Sequence, residues 1–341
     1  MIRNQTKPIK ISNIVIGGNS KVLIQSMCNI KTSKVCAVTK QINQCANNGA
    51  DIMRVSILDE KDAKALKKIK NGVQIPIVAD IHFDYKLALL SIENGADAIR
   101  INPNNISKEK IKIIINECKK KNLPIRLGIN ASSFKNPTVE TLIENVKNNI
   151  EFLEKLDFKN IVISLKSSDV LTTIKANQIL SRLFKYPIHL GLTESGPNSV
   201  GIIKSVSALA PLLLEGIGNT IRISLSSNPV NEILVCKRFL HSLNLYDDYP
   251  TLISCPTCGR TRVKDVFQLS DKILNFLEKN NINKKVSIMG CVVNGPGEAK
   301  KSDVGIVGID KNTWALFKNG VFLKKISDKD IYKELIKTIV K

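Results

Sequence analysis

Asn48-Gly49-Ala50-Asp51-Ile52-Met53-Arg54-Val55-Ser56 returns almost unchanged as Asn94-Gly95-Ala96-Asp97-Ala98-Ile99-Arg100-Ile101-Asn102. Each copy holds an Asn-Gly helix stop, then a short apolar strand ending on an arginine and a polar residue. Similar strands are expected at Val22–Gln25, Ile52–Val55, Ile77–Ala79, Ala98–Ile101, Ile125–Leu127, Ile161–Ser164, Ile188–Leu192 and Ile221–Leu225. Helical periodicity lies between them, as at Lys61–Lys70, Lys108–Lys120, Val139–Leu156, Val170–Phe184 and Val230–Leu243. Strands alternating with helices imply a parallel sheet. Eight such units predict an α/β chain whose residues 1–245 close into a (β/α)8 TIM-like barrel.

The strand ends carry the chemistry. Gln25, Arg54, Asp80, His82, Arg100, Asn102, Arg126, Asn130, Lys166, Glu194, Arg222 and Ser224 all fall there. In a barrel these side chains project to one rim, the catalytic one. Four arginines and a lysine on one mouth repel each other unless an anion sits among them, and bidentate pairing with arginine makes a diphosphate or a similarly dense anion the natural guest. A single arginine in such a place is ordinarily salt-bridged to a neighbouring carboxylate. Cations repeated at equivalent strand ends argue for a site.

Tyr246-Asp247-Asp248-Tyr249-Pro250 reads as a linker to a small α+β domain over residues 246–341. That domain is expected to hold a helix at Val263–Lys279, strands at Lys285–Met289 and Val304–Ile309, a hairpin turn at Asn319-Gly320 and a last helix at Asp328–Val340. It also contains Cys255-Pro256-Thr257-Cys258, followed by Cys291 within a Gly/Pro-rich loop. Two thiolates one turn apart can grip a metal, and a third can close on it. No fourth cysteine follows, which excludes a zinc ribbon of two C-x-x-C pairs. What remains is a three-cysteine site with another ligand, or a cluster with one unusual corner. Cys28, Cys36, Cys45, Cys118 and Cys236 read as small core residues. His189 lies inside a strand, and His241 on a helix reads as structural.

The chain has 341 residues, 43% of them hydrophobic, enough for a large core. Neither a signal-peptide layout nor a long apolar run is present, so a soluble, cytoplasmic protein without membrane contact is expected. In a reducing cytosol a C-x-x-C pair reads as metal or redox chemistry. The net charge of +21 invites a nucleic-acid reading, but the lysines are scattered and aromatics are only 5%. An alternative is a basic RNA-binding protein with a structural zinc at Cys255, Cys258, Cys291 and His241. It accounts for charge and cysteines but not for polar residues ending eight strands. A G-x-G-x-x-G fingerprint after a strand is lacking, so the chain is not expected to bind NAD(P)H or flavin itself.

Six stretches together resemble one family. They are Ile24-Gln25-Ser26-Met27, Ala79-Asp80-Ile81-His82-Phe83-Asp84-Tyr85, Arg100-Ile101-Asn102-Pro103, Leu190-Gly191-Leu192-Thr193-Glu194, Glu215-Gly216-Ile217-Gly218-Asn219-Thr220-Ile221-Arg222, and Gly290-Cys291 through Gly297-Glu298. With the C-x-x-C pair they resemble the bacterial hydroxymethylbutenyl diphosphate synthase family of the methylerythritol phosphate route to isoprenoids. The likeness spans essentially the whole chain, in the two-domain form, although Cys28 and Ile30 stand where the family usually carries threonine. It implies an iron–sulfur oxidoreductase that reductively opens and dehydrates 2-C-methyl-D-erythritol 2,4-cyclodiphosphate, with flavodoxin or ferredoxin as electron donor. It implies a [4Fe–4S] cluster held by Cys255, Cys258, Cys291 and Glu298. It also implies an anion clamp of Arg54, Arg100, Arg126 and Lys166, aided by Asn102, Asn130, Arg222 and Ser224. Glu194 is then the candidate proton donor, with Asp80 and His82 positioning substrate or water and Glu298 an exchangeable carboxylate ligand.

Assembly follows from topology. The helix expected at Val230–Leu243 runs about 20 Å away from the catalytic rim. The linker after it is too short to return. A head-to-tail homodimer, each cluster domain capping its partner's barrel, resolves the mismatch, as the resemblance also implies.

Overall fold

Both copies of the repeated stretch close a helix in the same way in the computed structural model, which describes residues 3–341. The Ala50 amide donates to the Cys45 carbonyl and the Ala96 amide to the Ser91 carbonyl, each at 3.0 Å, while Gly49 and Gly95 take φ of 103° and 90°. A left-handed glycine there satisfies the last helical carbonyls. The aspartate that follows pins the neighbouring strand. Asp51 accepts from the Ile24 amide at 2.8 Å, and Asp97 from the Ile77 amide at 2.7 Å. Three residues later each strand presents its arginine.

A hairpin of β1 (Ile9–Ile11) and β2 (Ile14–Ile16) comes first. The repeating units follow as β3 (Leu23–Met27), α1 (Val35–Asn47), β4 (Ile52–Ser56), α2 (Glu60–Lys70), β5 (Ile77–Ile81), α3 (Tyr85–Glu93), β6 (Ala98–Ile101) and α4 (Lys108–Lys120). Then come β7 (Ile125–Asn130), α5 (Val139–Lys155), β8 (Ile161–Lys166), α6 (Val170–Leu183), β9 (His189–Leu190), α7 (Asn198–Leu214), β10 (Thr220–Ile221) and α8 (Pro229–Ser242). The eight strands β3 to β10 pair in parallel in the order β8-β7-β6-β5-β4-β3-β10-β9, and a bridge between Ile163 and Ile188 closes the barrel. The hairpin plugs its N-terminal end. Ile9, Ile11 and Ile16 pack on Leu23, Ile52, Val78, Ala98 and Val162, residues near the starts of five barrel strands. Burying each isoleucine stabilises by about 2 kcal/mol.

Several strand ends differ from expectation. β3 continues to Met27, so Gln25 is buried inside the barrel, where it accepts from Arg126 Nη1 rather than standing at the rim. β9 and β10 stop at Leu190 and Ile221 instead of Leu192 and Leu225. The Leu225 amide is drawn out of the sheet by the Glu232 carboxylate at 3.0 Å, and the Thr193 amide by the Ser167 carbonyl at 3.2 Å. Cys36 is exposed because α1 buries its other face, through Val38, Gln41, Ile42 and Cys45. Cys28, Cys45, Cys118 and Cys236 are buried.

A separate compact unit spans Tyr246–Lys341. It holds β11 (Thr251–Ser254), α9 (Val266–Lys279), β12 (Lys285–Met289), α10 (Gly295–Lys300), β13 (Val304–Asp310), β14 (Thr313–Lys318), β15 (Val321–Ser327) and α11 (Ile331–Val340). The sheet runs β11-β12-β13-β14-β15, the first three strands parallel and the last two antiparallel. Strand alternation sorts its two faces. Ile288, Ile306, Trp314 and Leu316 meet Val266, Ile273 and Leu277 of α9 and Leu335 and Ile339 of α11. Met289, Val307, Ala315 and Phe317 meet Ala299 of α10. Asn319 and Gly320, with φ of 49° and 79°, make the two-residue hairpin turn expected of that pair. α9 starts at Val266, not Val263, and α11 at Ile331, because Asp328 is held in a turn by Trp314 Nε1 at 2.8 Å.

Candidate active site

At the C-terminal ends of the barrel strands a cavity of about 300 Å³ is lined by Met27, Arg54, Asp80, His82, Arg100, Arg126, Asn130, Lys166, Glu194, Arg222 and Ser224. Ser164, Leu192 and Thr193 fill its wall between them. The repeated strands β4 and β6 flank β5, so their arginines reach Asp80 from both sides. Arg54 Nε lies 3.3 Å from Asp80 Oδ2, and Arg100 Nη1 lies 3.0 Å from Asp80 Oδ1. His82 Nε2 stands 3.7 Å from the same carboxylate and 3.5 Å from Arg100 Nη1. Burial by itself raises the Asp80 pKa. Arg54, the nearby His82 ring, Arg100 and Arg126 outweigh it and hold the carboxyl below the ordinary carboxylate range.

Arg222 is paired too. Its Nε and Nη2 each reach a different oxygen of Glu232 at 3.0 Å. Glu232 is buried, and also accepts from Ser26 Oγ at 2.6 Å and the Leu225 amide at 3.0 Å. Three of the five cations therefore have carboxylate partners, the ordinary arrangement for a single arginine in such a place. Arg126 and Lys166 have none among the described residues. The Arg126 Nε is buried without an acceptor. Burial, then the neighbouring guanidinium groups, push the Lys166 ammonium well below the usual lysine range. The cavity thus holds more buried positive charge than Asp80 and Glu232 offset. An anion with several oxygens would complete it.

Glycine makes room for these cations. A Cβ on Gly128 would lie 2.2 Å from Arg100 Nε, and one on Gly191 would lie 2.6 Å from Lys166 Nζ. Arg100 Nη2 also donates to the Gly128 carbonyl at 3.1 Å. Glu194 is exposed at the mouth, with φ of 54° in the left-handed region. That conformation is uncommon outside glycine, and such backbone clusters at functional loops.

Asn102 does not join the cavity. β6 ends at Ile101, and the buried Asn102 turns into its own loop, accepting from the Asn104 amide at 3.1 Å and donating to Ser133 Oγ at 3.3 Å. Its part in an anion clamp is corrected to a loop-building one. Met27 and Glu232 were missed. Met27 lies two residues past the end expected for the first strand at Gln25, and Glu232 stands in the first turn of α8, a common place for a carboxylate that by itself signals no site. His189 lies inside the barrel, with Nδ1 2.7 Å from Thr220 Oγ1; burial, then Lys166 and the arginines, hold it well below the usual histidine range.

In the second unit Cys255 follows β11 and Cys291 follows β12 by two residues, so both loops leave the sheet from the same end of adjacent parallel strands. The Arg262 amide donates to the Gly290 carbonyl at 2.8 Å and ties the loops together. Cys258 is exposed, Cys255 half-buried and Cys291 buried; Glu298 is half-buried in α10. No three metal-ligating side chains stand in metal-holding proximity among the described residues. As a donor set, three thiols on loops and a carboxylate in the short helix that follows suit iron or zinc. No helix among the described residues is long and apolar enough to cross a membrane.

Residues 6–237 match the family model described as the GcpE TIM-barrel domain, and residues 251–341 match the GcpE protein C-terminal domain. Curated relatives bear the name 4-hydroxy-3-methylbut-2-en-1-yl diphosphate synthase (flavodoxin). That of Clostridium perfringens is 45% identical, with 99% of both chains covered. That of Bacillus subtilis is 43% identical, covering 99% of this chain and 91% of the relative. These names leave the RNA-binding alternative without support. Among solved structures, dihydropteroate synthase from Stenotrophomonas maltophilia superposes with a TM-score of 0.54 at 11% identity, covering 70% of this chain and 98% of that one. The 3-dehydroquinate dehydratase of Geobacillus kaustophilus gives 0.52 at 14% identity, covering 71% and 99%. At such identities the likeness is one of barrel fold.

Proposed function

Because the chain belongs to the GcpE family, we propose that it performs the reaction for which its curated relatives are named, forming 4-hydroxy-3-methylbut-2-en-1-yl diphosphate in isoprenoid biosynthesis. The chain is an enzyme. Its substrate is 2-C-methyl-D-erythritol 2,4-cyclodiphosphate, which takes up two electrons and loses water as the ring opens. The observation that carries this reading is the cavity of four arginines and a lysine around only two buried carboxylates. Arg126 and Lys166, which lack carboxylate partners, bind the diphosphate most strongly. Arg54 and Arg100 are held in place by Asp80 and offer it their remaining N–H groups. Arg222 is steadied by Glu232, while Asn130 and Ser224 supply neutral hydrogen bonds.

Glu194, exposed at the mouth, donates a proton to the departing oxygen. Asp80, kept ionised by its two arginines, orients them and does not itself act as an acid. His82 borders both Asp80 and the cavity and positions substrate or water. In the second unit Cys255, Cys258, Cys291 and Glu298 would hold a [4Fe–4S] cluster, which when bound supplies electrons one at a time. Flavodoxin, printed in the relatives' names, is the donor of choice, and ferredoxin the second. The active form is a head-to-tail homodimer. Exposed Leu58, Phe83, Leu171 and Val200, on loops and helix starts that follow barrel strands, support a covered mouth.

Anaerobic purification tests the reading. Brown protein with broad absorbance near about 400 nm, turning over the cyclodiphosphate with reduced flavodoxin, is expected. Colourless protein holding stoichiometric zinc would sink it.

A further inference from the structure

We propose that Met27 is a peroxide-sensitive modification site whose sulfoxide weakens the anion cavity, an inference that rests on the diphosphate reading above. The thioether stands at the end of β3 in the cavity wall, between two of the clamp's guanidinium groups. Arg54 Nη2 and Nε donate to Met27 Sδ at 2.8 and 3.1 Å, and Arg222 Nη1 lies 3.6 Å away. A thioether is a weak acceptor, so Arg54 Nη2 and Arg222 Nη1 can exchange it for phosphate oxygens, while Arg54 Nε also faces Asp80. A sulfoxide oxygen is a strong acceptor with a negative dipole end, and it would arrive among donors already aimed at it.

The chemistry balances with peroxide as the oxidant. A sulfur lone pair attacks one peroxide oxygen, the O–O bond breaks as the S–O bond forms, and the other oxygen leaves as water after taking up the proton. Sulfur is oxidised by two electrons and peroxide reduced by two. The new oxygen then occupies N–H groups of Arg54 and Arg222 and turns the negative end of the S–O dipole toward the incoming diphosphate. Selectivity follows from burial. Met53 and Met289 are 0% and 7% exposed in the cores of their units, whereas Met27 is half-buried and faces the cavity. Met1 lies outside the described residues.

The test uses the full-length chain and inorganic pyrophosphate as the probe, so that it does not depend on turnover. Peptide mass spectrometry after a graded hydrogen peroxide treatment should show Met27 gaining oxygen about tenfold faster than Met53 or Met289. Calorimetry should show pyrophosphate affinity falling about tenfold in step with that oxidation, and recovering after methionine sulfoxide reductase. Met27→Leu should keep its own affinity through the same treatment. Equal oxidation of Met53 or Met289, unchanged affinity of the Met27-oxidised chain, or equal loss in Met27→Leu would each overturn the proposal. Untreated chain that binds no pyrophosphate would overturn the diphosphate reading, and this inference with it.

Discussion

Gly128→Ala isolates the geometry of the anion clamp with the addition of one methyl group. Gly128 does not need glycine's backbone freedom, since its φ is not positive. Any effect must come from the side chain. The new Cβ would stand 2.2 Å from Arg100 Nε and 2.9 Å from its Cζ and Nη2. Both groups are buried in the barrel wall, so Arg100 has to leave. It then gives up the 3.0 Å contact with Asp80 and the 3.1 Å bond to the Gly128 carbonyl. A charge-assisted bond of this kind contributes about 2 kcal/mol and a neutral one about 1 kcal/mol. If the whole loss falls on binding, pyrophosphate affinity drops about 150-fold. If Arg100 swings into the cavity instead, part of the loss appears as lower stability. Calorimetry with pyrophosphate and urea unfolding, run together, account for both destinations. The decisive control is the pair with Arg100→Ala. Because Gly128→Ala acts through Arg100, adding it to Arg100→Ala should cost little more. Wild-type affinity and stability in Gly128→Ala, or full additivity of the two changes, would refute the reasoning.

Cys255→Ser, Cys258→Ser and Cys291→Ser should each lose iron and turnover while the barrel stays folded, whereas Glu298→Ala should retain part of its iron; full iron content in a cysteine variant removes that ligand. Arg126→Lys should impair substrate use although charge is kept, because the planar fork is lost, while Lys67→Gln on the exposed face of α2 should match wild type in kcat/KM. For Lys166, burial and then Arg126, Arg54, Arg222 and Arg100 lower the folded pKa, so the unfolded chain binds the extra proton. Stability of the free protein should therefore rise with pH up to about 10.4, with pyrophosphate binding taking up a proton; both effects should vanish in Lys166→Met, as urea titrations and calorimetry in several buffers would show. Cys291→Ser mixed with Arg126→Ala, each inactive alone, should recover activity in mixed dimers; absence of recovery in demonstrated mixed dimers would defeat the head-to-tail pairing.

What the sequence made legible, and what it hid, divides along one physical line. The Asn-Gly-Ala-Asp repeat encodes a glycine that closes a helix within one turn and an arginine three residues past the aspartate, and its aspartate pins the preceding strand, 27 and 20 residues back in the two copies. Such signals survive without knowledge of the rest of the chain, and the barrel followed from them. Whether a polar residue at a strand end faces the cavity depends on one or two residues of strand length. Gln25 and Met27 exchanged places when β3 ran on by two residues. Asn102 was misread because the Asn102-Pro103-Asn104 stretch is equally a turn signal, and the turn took its carbonyl oxygen.

Charge compensation was the least legible feature, because it is settled between distant strands. Glu232 pairs with Arg222 across ten residues and with Ser26 across 206, and only barrel closure brings β3 beside β10. Closure also explains why the clamp is asymmetric. Asp80 on β5 can serve the arginines of its two immediate neighbours, β4 and β6, and Glu232 serves β10. β7 and β8, which carry Arg126 and Lys166, have no acidic residue within ion-pair distance of those cations among the described residues, and Asp80 acts on Arg126 only from farther off. The two cations without a carboxylate partner therefore lie on one side of the mouth, although Asp80 offsets only one of its two arginines. A diphosphate bound there leaves the side of Asp80 and His82 for the rest of the substrate.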